Sequence, residues 1–509
     1  MRLSEDLRYL LPALLLAGTA IAVLLMDIMP RRGGQDDDAS TREARRTRGF
    51  WWLSVCGTLL TMVAVLWLSV PMFQLDDSTS HRVLGMMVFD PLAGYGWLLL
   101  DGALLFLLGM GRSYVAHRIA EPGLFYAMML LFGAAAFLLV AATNTIMLLL
   151  TLDFVSLLGY ALTGFLHDDL RSTEGALKYL VYGAVLSAVM ALGLAWLYGM
   201  TGSTDYTQVS RALAEGLWPW STTRLVPAGA LIPVLVFVLT GFAFKLGVAP
   251  FHQWVPDAFE GAPTPVTATL AVLPKIAGFA ALVRLTVVML PAGSELAHIW
   301  RSPLILSLSS LGMLVGNLAG LWQNNIKRLM AYSGIAQAGY ALGGAVVGSQ
   351  EGYSSLFVYL TAYTIAELSI FAAITVVSDE FGLDEIDDYR GLYRRAPLLA
   401  AVLLIGLLSL FGMPGTAGFM AKLWLFSAAL DAQQLWWLAL AAVNTVVSMG
   451  YYWRVIRVVM MHTDEGLAPL PVPWASRATL VLTSLVVLGL GIFPGTIMHW
   501  AHIAVAALF

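Results

Sequence analysis

Four lysines, Lys178, Lys245, Lys275 and Lys422, lie within or at the edge of long apolar stretches. A lysine near the centre of a bilayer costs roughly 2.5–3.5 kcal/mol on insertion scales, and intramembrane ionisable groups point to ion or proton pathways. Lysines at helix ends can instead snorkel to the interface, and Lys178, four residues after Glu174, also fits that alternative. Two acids share these surroundings: Asp153, within Leu149-Leu150-Thr151-Leu152-Asp153-Phe154, and Glu367, midway along another stretch. Asp153 is expected to pair with Lys178 across a helical hairpin, each charge offsetting the desolvation of the other, while Glu367 has no partner visible in sequence. For each charge the competing reading is a static structural bridge. His252 could relay protons, since an imidazole titrates near neutrality, or be a hydrogen-bonded structural histidine.

The elements that must position these groups are fourteen apolar spans: 7–29, 50–72, 90–111, 123–142, 146–166, 175–199, 229–252, 265–290, 302–322, 327–347, 353–378, 397–430, 435–460 and 474–495. They are too long for barrel strands and lack two-residue alternation, which predicts an all-α polytopic membrane bundle. Of the 509 residues 59% are hydrophobic and 12% charged, and mean hydropathy is +0.78. That composition excludes a soluble enzyme. The first span contains Ala20-Ile21-Ala22, similar to a cleavage site, but its apolar run continues through Met26 and a retained helix is expected.

Two spans are broken in the same style. One reads Phe244-Lys245-Leu246-Gly247-Val248-Ala249-Pro250-Phe251-His252, the other Gly412-Met413-Pro414-Gly415-Thr416-Ala417-Gly418-Phe419-Met420-Ala421-Lys422. Proline removes a backbone donor and glycine loosens the helix, so each should hold a non-helical break beside a buried lysine, with the two lysines in register. Each broken span is fourth in a set of five, spans four to eight and nine to thirteen, which suggests two inverted five-helix repeats. The chain then divides into 1–122 (three helices and an Arg-rich cytoplasmic loop), 123–290, 302–460 and 461–509 (a last helix and tail).

Orientation follows from the basic residues of the connections. Seventeen lie on one side, among them Arg112, Lys327 and Arg328, and seven on the other, among them Arg284. This bias places both termini outside the cytoplasm, in a multi-pass protein of the cell inner membrane. The net charge of −4 gives no sign of nucleic-acid binding. The single cysteine, Cys56, excludes a disulfide framework and cysteine-ligated zinc or iron–sulfur centres. His499 and His502 share a helix face without an acid, which argues against a metal site, and haem-type histidine pairs are not apparent. Gly312, Gly316 and Gly320 have the spacing of close helix packing. Residues 30–49 read as a solvated cytoplasmic loop whose charges are screened and dispensable for proton transfer.

The segments 153–179, 244–279 (with Glu260-Gly261-Ala262-Pro263-Thr264-Pro265-Val266), 327–340 and 412–422 closely resemble subunit N of the proton-pumping NADH-quinone oxidoreductase, respiratory complex I. The resemblance covers roughly 125–460, and its broader pattern is shared with antiporter-like subunits L and M and with multisubunit sodium/proton antiporters. It implies a fourteen-helix, non-redox subunit of a membrane arm, assembled with other membrane-arm subunits in the lipid bilayer. Its translocase activity would serve a quinone reduction whose NADH, flavin, iron–sulfur clusters and quinone are held by other chains. By motif, Asp153 and Lys178 become the acid–lysine pair of the first half-channel, Lys245 the central switch, Lys275 the onward link and Lys422 the terminal lysine. Departures from the pattern are Asp153 for glutamate, Gln337 for histidine, Glu367 for asparagine and Gly415 for proline. The alternatives are a sodium/proton antiporter subunit without redox coupling and a non-pumping structural subunit.

Overall fold

A computed structural model describes the chain except residues 1, 30–38, 75–78, 216–227, 291–292, 383, 462–468 and 471; of the loop expected at 30–49, residues 30–38 lie outside the described residues and 39–49 are instead the helical start of α2. The elements are α1 (Arg2–Ile28), α2 (Ala39–Gln74), a small hairpin of β1 (His81–Val83) and β2 (Met87–Phe89), α3 (Pro91–Arg118), α4 (Pro122–Ala141), α5 (Thr145–Thr163) and α6 (Leu170–Thr201). Next come α7 (Tyr206–Glu215), α8 (Ala228–Leu246), α9 (Trp254–Gly261), α10 (Thr264–Arg284), α11 (Glu295–Ile299), α12 (Leu306–Gly320), α13 (Ile326–Val347) and α14 (Gln350–Phe381). The chain ends with α15 (Leu392–Arg395), α16 (Pro397–Phe411), α17 (Ala417–Asp431), α18 (Leu435–Met461), α19 (Trp474–Ile492) and α20 (Gly495–Ala506).

The bundle is helical, as composition demands. Among the described residues, ten helices are long and apolar enough to cross a membrane, and Leu231–Leu246 and Pro397–Phe411 are shorter apolar helices. The number fourteen therefore rests on the sequence. The expected span 397–430 is two helices, because the backbone turns left-handed at Gly412 (φ +97) and Gly415 (φ +88) and Pro414 removes a donor. The expected tail is not irregular: Pro494 interrupts α19 and the chain restarts as α20. A β-hairpin and the amphipathic α7 were not anticipated either. Both sit in connections, where no apolar run signals them.

Two helices, α10 and α14, are enclosed along their whole hydrophobic windows and form the axis of the molecule. Around them the two repeats share a backbone signature. Asn144 caps α5 and forms an isolated antiparallel bridge to Asp205, beyond α6; Asn325 caps α13 and forms the same bridge to Glu385, beyond α14. In both sets the third helix ends on a left-handed glycine, Gly202 and Gly382. The glycines of α12 pack as expected: a Cβ at Gly316 would stand 2.5 Å from Ala336 N and 2.7 Å from Tyr332 O, and one at Gly312 3.2 Å from Gly339 Cα.

Two cations counted as loop residues are interior. Arg284 is 1% exposed and grips Asp90 through two bonds of 2.6 and 2.9 Å. Lys327 pairs with Asp384 at 2.7 Å. An arginine near a span end was read as solvated because sequence does not reveal which helix packs over it. One leaves each side of the tally, so the bias remains.

Candidate functional site

Lys245 stands in the last turn of α8, 2% exposed, because the break after Leu246 lets the following chain fold back over it. Trp254 closes that break: its Nε1 donates to Phe244 O at 3.2 Å and its ring stacks on Tyr179 at 3.8 Å. The Lys245 ammonium donates to Ser156 Oγ at 3.0 Å, and Ser156 in turn donates to Leu152 O at 2.8 Å. Asp153 lies one turn back on α5 and accepts from Ser187 Oγ at 2.6 Å.

Lys275, on α10 beside Pro274, donates to Gly334 O at 2.8 Å and to the Tyr363 hydroxyl at 2.7 Å. A cavity of about 10 Å³ is lined by both Lys245 and Lys275, about the room one water needs. Glu367 follows Tyr363 by one turn of α14, is fully buried, and its carboxyl oxygens have no hydrogen-bond partner among the described residues. Next on the axis, Gln337 accepts from the Tyr359 hydroxyl and donates to Leu410 O at 3.3 Å and Tyr452 Oη at 3.1 Å. Lys422 donates to Leu410 O at 3.0 Å and Phe411 O at 2.8 Å, with Nζ 4.9 Å from the Tyr340 ring centroid. A second cavity of about 10 Å³ is bordered by Tyr363, Gln337 and Lys422.

The physical pattern is consistent. Lys245, Lys275 and Lys422 are buried, and none forms an ion pair among the described residues. Each is stabilised by neutral oxygens. For Lys422 these are carbonyls left free at the C-terminus of α16, the negative end of the helix dipole. An amine bound to hydroxyls and carbonyls keeps a donor bond whether it carries two hydrogens or three, whereas a carboxylate partner favours the charged form alone.

The structure separates the expected pair. Lys178 does not meet Asp153; it bonds Glu174 at 2.6 Å and Asp257 at 2.7 Å, with 42% of its side chain exposed. Ser187, which holds Asp153, is nine residues further along α6, about 13 Å at 1.5 Å per residue. Asp257 and Glu260 also bind Arg328, at 2.7 and 2.8 Å, tying α9 and α6 to α13. Burial alone would raise the Asp257 carboxyl, but its hydrogen bonds to Lys178 and Arg328 outweigh that and hold it below the ordinary range. His252 is half-buried, edge-on to Tyr332 at 6.4 Å, with no hydrogen bond to the amines.

Nor are the two lysines in register with their breaks. Lys245 precedes its break glycine by two residues, whereas Lys422 follows Gly412 by ten, the place that Asp257 holds after Gly247. Counted from the capping asparagines, Asp153 matches Gly334 and Ser156 matches Gln337; counted back from the capping glycines, Ser187 matches Glu367. The acid has thus changed helices between repeats: on α5 in the first, on α14 in the second.

Sequence reasoning did not single out Ser156, Ser187, Tyr359, Tyr363 or Tyr452, since hydroxyls are common in apolar helices. Asp101 of α3 was also overlooked, though it is fully buried with both oxygens unpartnered among the described residues. No group of three side chains suited to a metal occurs among the described residues.

Comparison with known proteins gives a consistent result. The family described as NADH:quinone oxidoreductase/Mrp antiporter, TM, matches residues 142–448. The chain is 37% identical to NADH-quinone oxidoreductase subunit N 2 of Symbiobacterium thermophilum, covering 98% of this chain and 96% of that one. It is 35% identical to subunit N 2 of Acidobacterium capsulatum, covering 98% of each. Among solved structures it is similar to a chain of respiratory complex I from Thermus thermophilus with bound aureothin, with TM-score 0.76, 29% identity and coverage of 96% and 98%. The Mrp complex from Dietzia sp. shares the fold, with TM-score 0.81 at 20% identity over 100% of this chain and 98% of that one.

Proposed function

The chain belongs to the NADH-quinone oxidoreductase subunit N family, and from that membership we propose that it is a proton-translocating subunit of a complex-I-like membrane arm. Protons move from the half-buried Asp153 along the buried line of Lys245, Lys275 and Glu367 to Lys422, driven by quinone reduction in other chains of the assembly. Lys178, held by Glu174 and Asp257, belongs to the rim of this line rather than its interior. NADH, flavin, iron–sulfur clusters and quinone are assigned to those other chains, and the residues of this one handle protons only. The chain sits in the inner membrane with both termini on the non-cytoplasmic side.

The observation that carries this reading is the set of three enclosed amines on neutral oxygens, joined by two water-sized cavities. Lys245 provides the test. Lys245→Arg keeps a cation that is effectively never deprotonated, and Lys245→Met keeps bulk without titration. Both variants are expected to assemble and to lose at least about tenfold of quinone-coupled pumping in proteoliposomes, equivalent to about 1.4 kcal/mol or more on the barrier. Normal pumping by Lys245→Arg with failure of Lys245→Met would show a structural charge instead. Sodium-for-proton exchange without quinone would favour the antiporter reading.

A further inference from the structure

Away from the lysine line, the Arg-rich end of the three N-terminal helices contains a cationic pocket of about 360 Å³. It lies where α2 begins, α3 ends and α4 starts. Its walls include Glu43, Thr47 and Arg48 of α2, Arg112 and His117 of α3, and Tyr126 of α4. Arg48 and Arg112 are near enough to feel each other's charge, yet neither forms an ion pair among the described residues. Two guanidiniums share this cavity with one carboxylate, the exposed Glu43, so positive charge remains in excess and favours an anion between the two arginines.

The pocket is built rather than incidental. The Arg112 guanidinium carbon lies 4.5 Å from the Trp51 ring centroid and 5.2 Å from that of Trp474. The Trp51 ring is fixed by its Nε1 donating to Leu108 O at 2.8 Å. Tyr126, 1% exposed, borders the pocket, and its hydroxyl has no hydrogen-bond partner among the described residues. A cation clamp, a locked aromatic wall and an unspent buried donor converge on one space.

We propose that this pocket binds the phosphate of an anionic phospholipid, with Arg48 and Arg112 on the phosphate oxygens and the Tyr126 hydroxyl donating a further bond. A lipid fits better than a free anion because the pocket opens at the ends of membrane-length helices. Trp474 and Trp52, 63% and 47% exposed, mark the level of the interface there. Below it, Leu59 and Leu60 of α2 and Val481 and Leu482 of α19 are exposed and offer acyl chains an apolar surface. The side is the one to which the basic residues assign the cytoplasm, where anionic headgroups meet basic pockets between helices.

The test uses the chain in its intact membrane assembly, purified and stripped of loosely held lipid. Phosphatidylglycerol, phosphatidylcholine and inorganic phosphate are titrated separately, and bound lipid is counted by mass spectrometry of extracted headgroups. Phosphatidylglycerol should bind the wild type roughly tenfold more tightly than the Arg48→Gln/Arg112→Gln double variant. Arg48 is exposed, so Arg48→Gln alone should assemble normally and lose part of the affinity. Arg112→Lys, which keeps charge without a flat face to stack, should fall between. Phosphatidylcholine, whose choline cancels the charge of its phosphate, should bind the wild type more weakly than phosphatidylglycerol and lose less in the variants. Equal retention of phosphatidylglycerol by wild type and variants overturns the site, and so does its displacement by inorganic phosphate at matched concentration.

Discussion

Ser156 gives Lys245 a neutral acceptor 3.0 Å away, and that choice of partner governs what the amine can do. Ser156→Ala removes the acceptor without changing charge or shape appreciably. A hydrogen bond to a charged group is worth about 1.5–3 kcal/mol, so quinone-coupled pumping should fall roughly tenfold in a dye-based proteoliposome assay while assembly is retained. An unchanged rate would remove the hydroxyl from the pathway. Asp257 predicts a pH dependence of stability. Because its carboxyl is held below the ordinary range by Lys178 and Arg328 against the effect of burial, its contribution is complete above the usual carboxylate range. It is lost only as pH falls through the depressed value. Asp257→Asn should therefore lower thermal stability about equally at pH 6 and pH 8, by about 1–3 kcal/mol for the charged hydrogen bonds, towards the lower end because 26% of the side chain is open. A cost that appears only at pH 8 would contradict the assignment. The lysines were legible in sequence because an amine in an apolar run is rare. Ser156 and Tyr363 were not, because a hydroxyl acquires meaning only from the helix that packs against it, and the Asp153–Lys178 pairing failed because position along α6 decides the partner.

At the scale of elements, the helical breaks and the small-residue contacts do the positioning. Left-handed glycines and prolines were readable as stops, so both interruptions were found, while the side of each break on which the lysine falls required the fold. The α12–α13 contact shows how little slack these elements have. A Cβ at Gly316 meets Ala336 N and Tyr332 O at 2.5 and 2.7 Å, both backbone atoms that cannot rotate away. The nearest atoms to a Cβ at Gly320 belong to the Tyr451 ring, at 3.2 Å and beyond. Gly316→Val should force the helices apart and displace Gly334, Gln337 and the amine that Gly334 holds. It is expected to cost several kcal/mol, as overpacking with backbone shifts does, and to reduce assembled protein severely. Gly320→Ala should cost less than about 1 kcal/mol and leave assembly near normal. Quantifying assembled complex on native gels distinguishes them, and equal behaviour of the two variants would show that α12 and α13 can separate freely.

For the molecule as a whole, the question is what holds the three N-terminal helices to the repeats. Their tie is polar and deep. Asp90 caps α3 by accepting from Ala93 N at 2.8 Å and receives both arms of Arg284, which also donates to Val140 O at 3.2 Å. On the other repeat, Tyr95 meets Thr361 at 2.6 Å and Arg118 donates to Asp379 O at 2.8 Å. A division at residue 122, natural on the page, therefore crosses one of the most enclosed ion pairs in the described structure. Desolvating both charges offsets much of their attraction, so the pair adds less stability than its geometry suggests, but removing one partner strands a buried charge at about 3–5 kcal/mol. Asp90→Ala and Arg284→Met should each sharply reduce the assembled protein. The double variant should recover much of the loss, short of the wild type because the cap on α3 is still missing, at about 1 kcal/mol. A coupling energy of at least about 2 kcal/mol between the two sites, taken from the melting of assembled complex across the double-mutant cycle, is the expected result. Simple additivity would mean that the Asp90–Arg284 pair does not hold the N-terminal helices to the repeats and that Asp90 serves only as a cap.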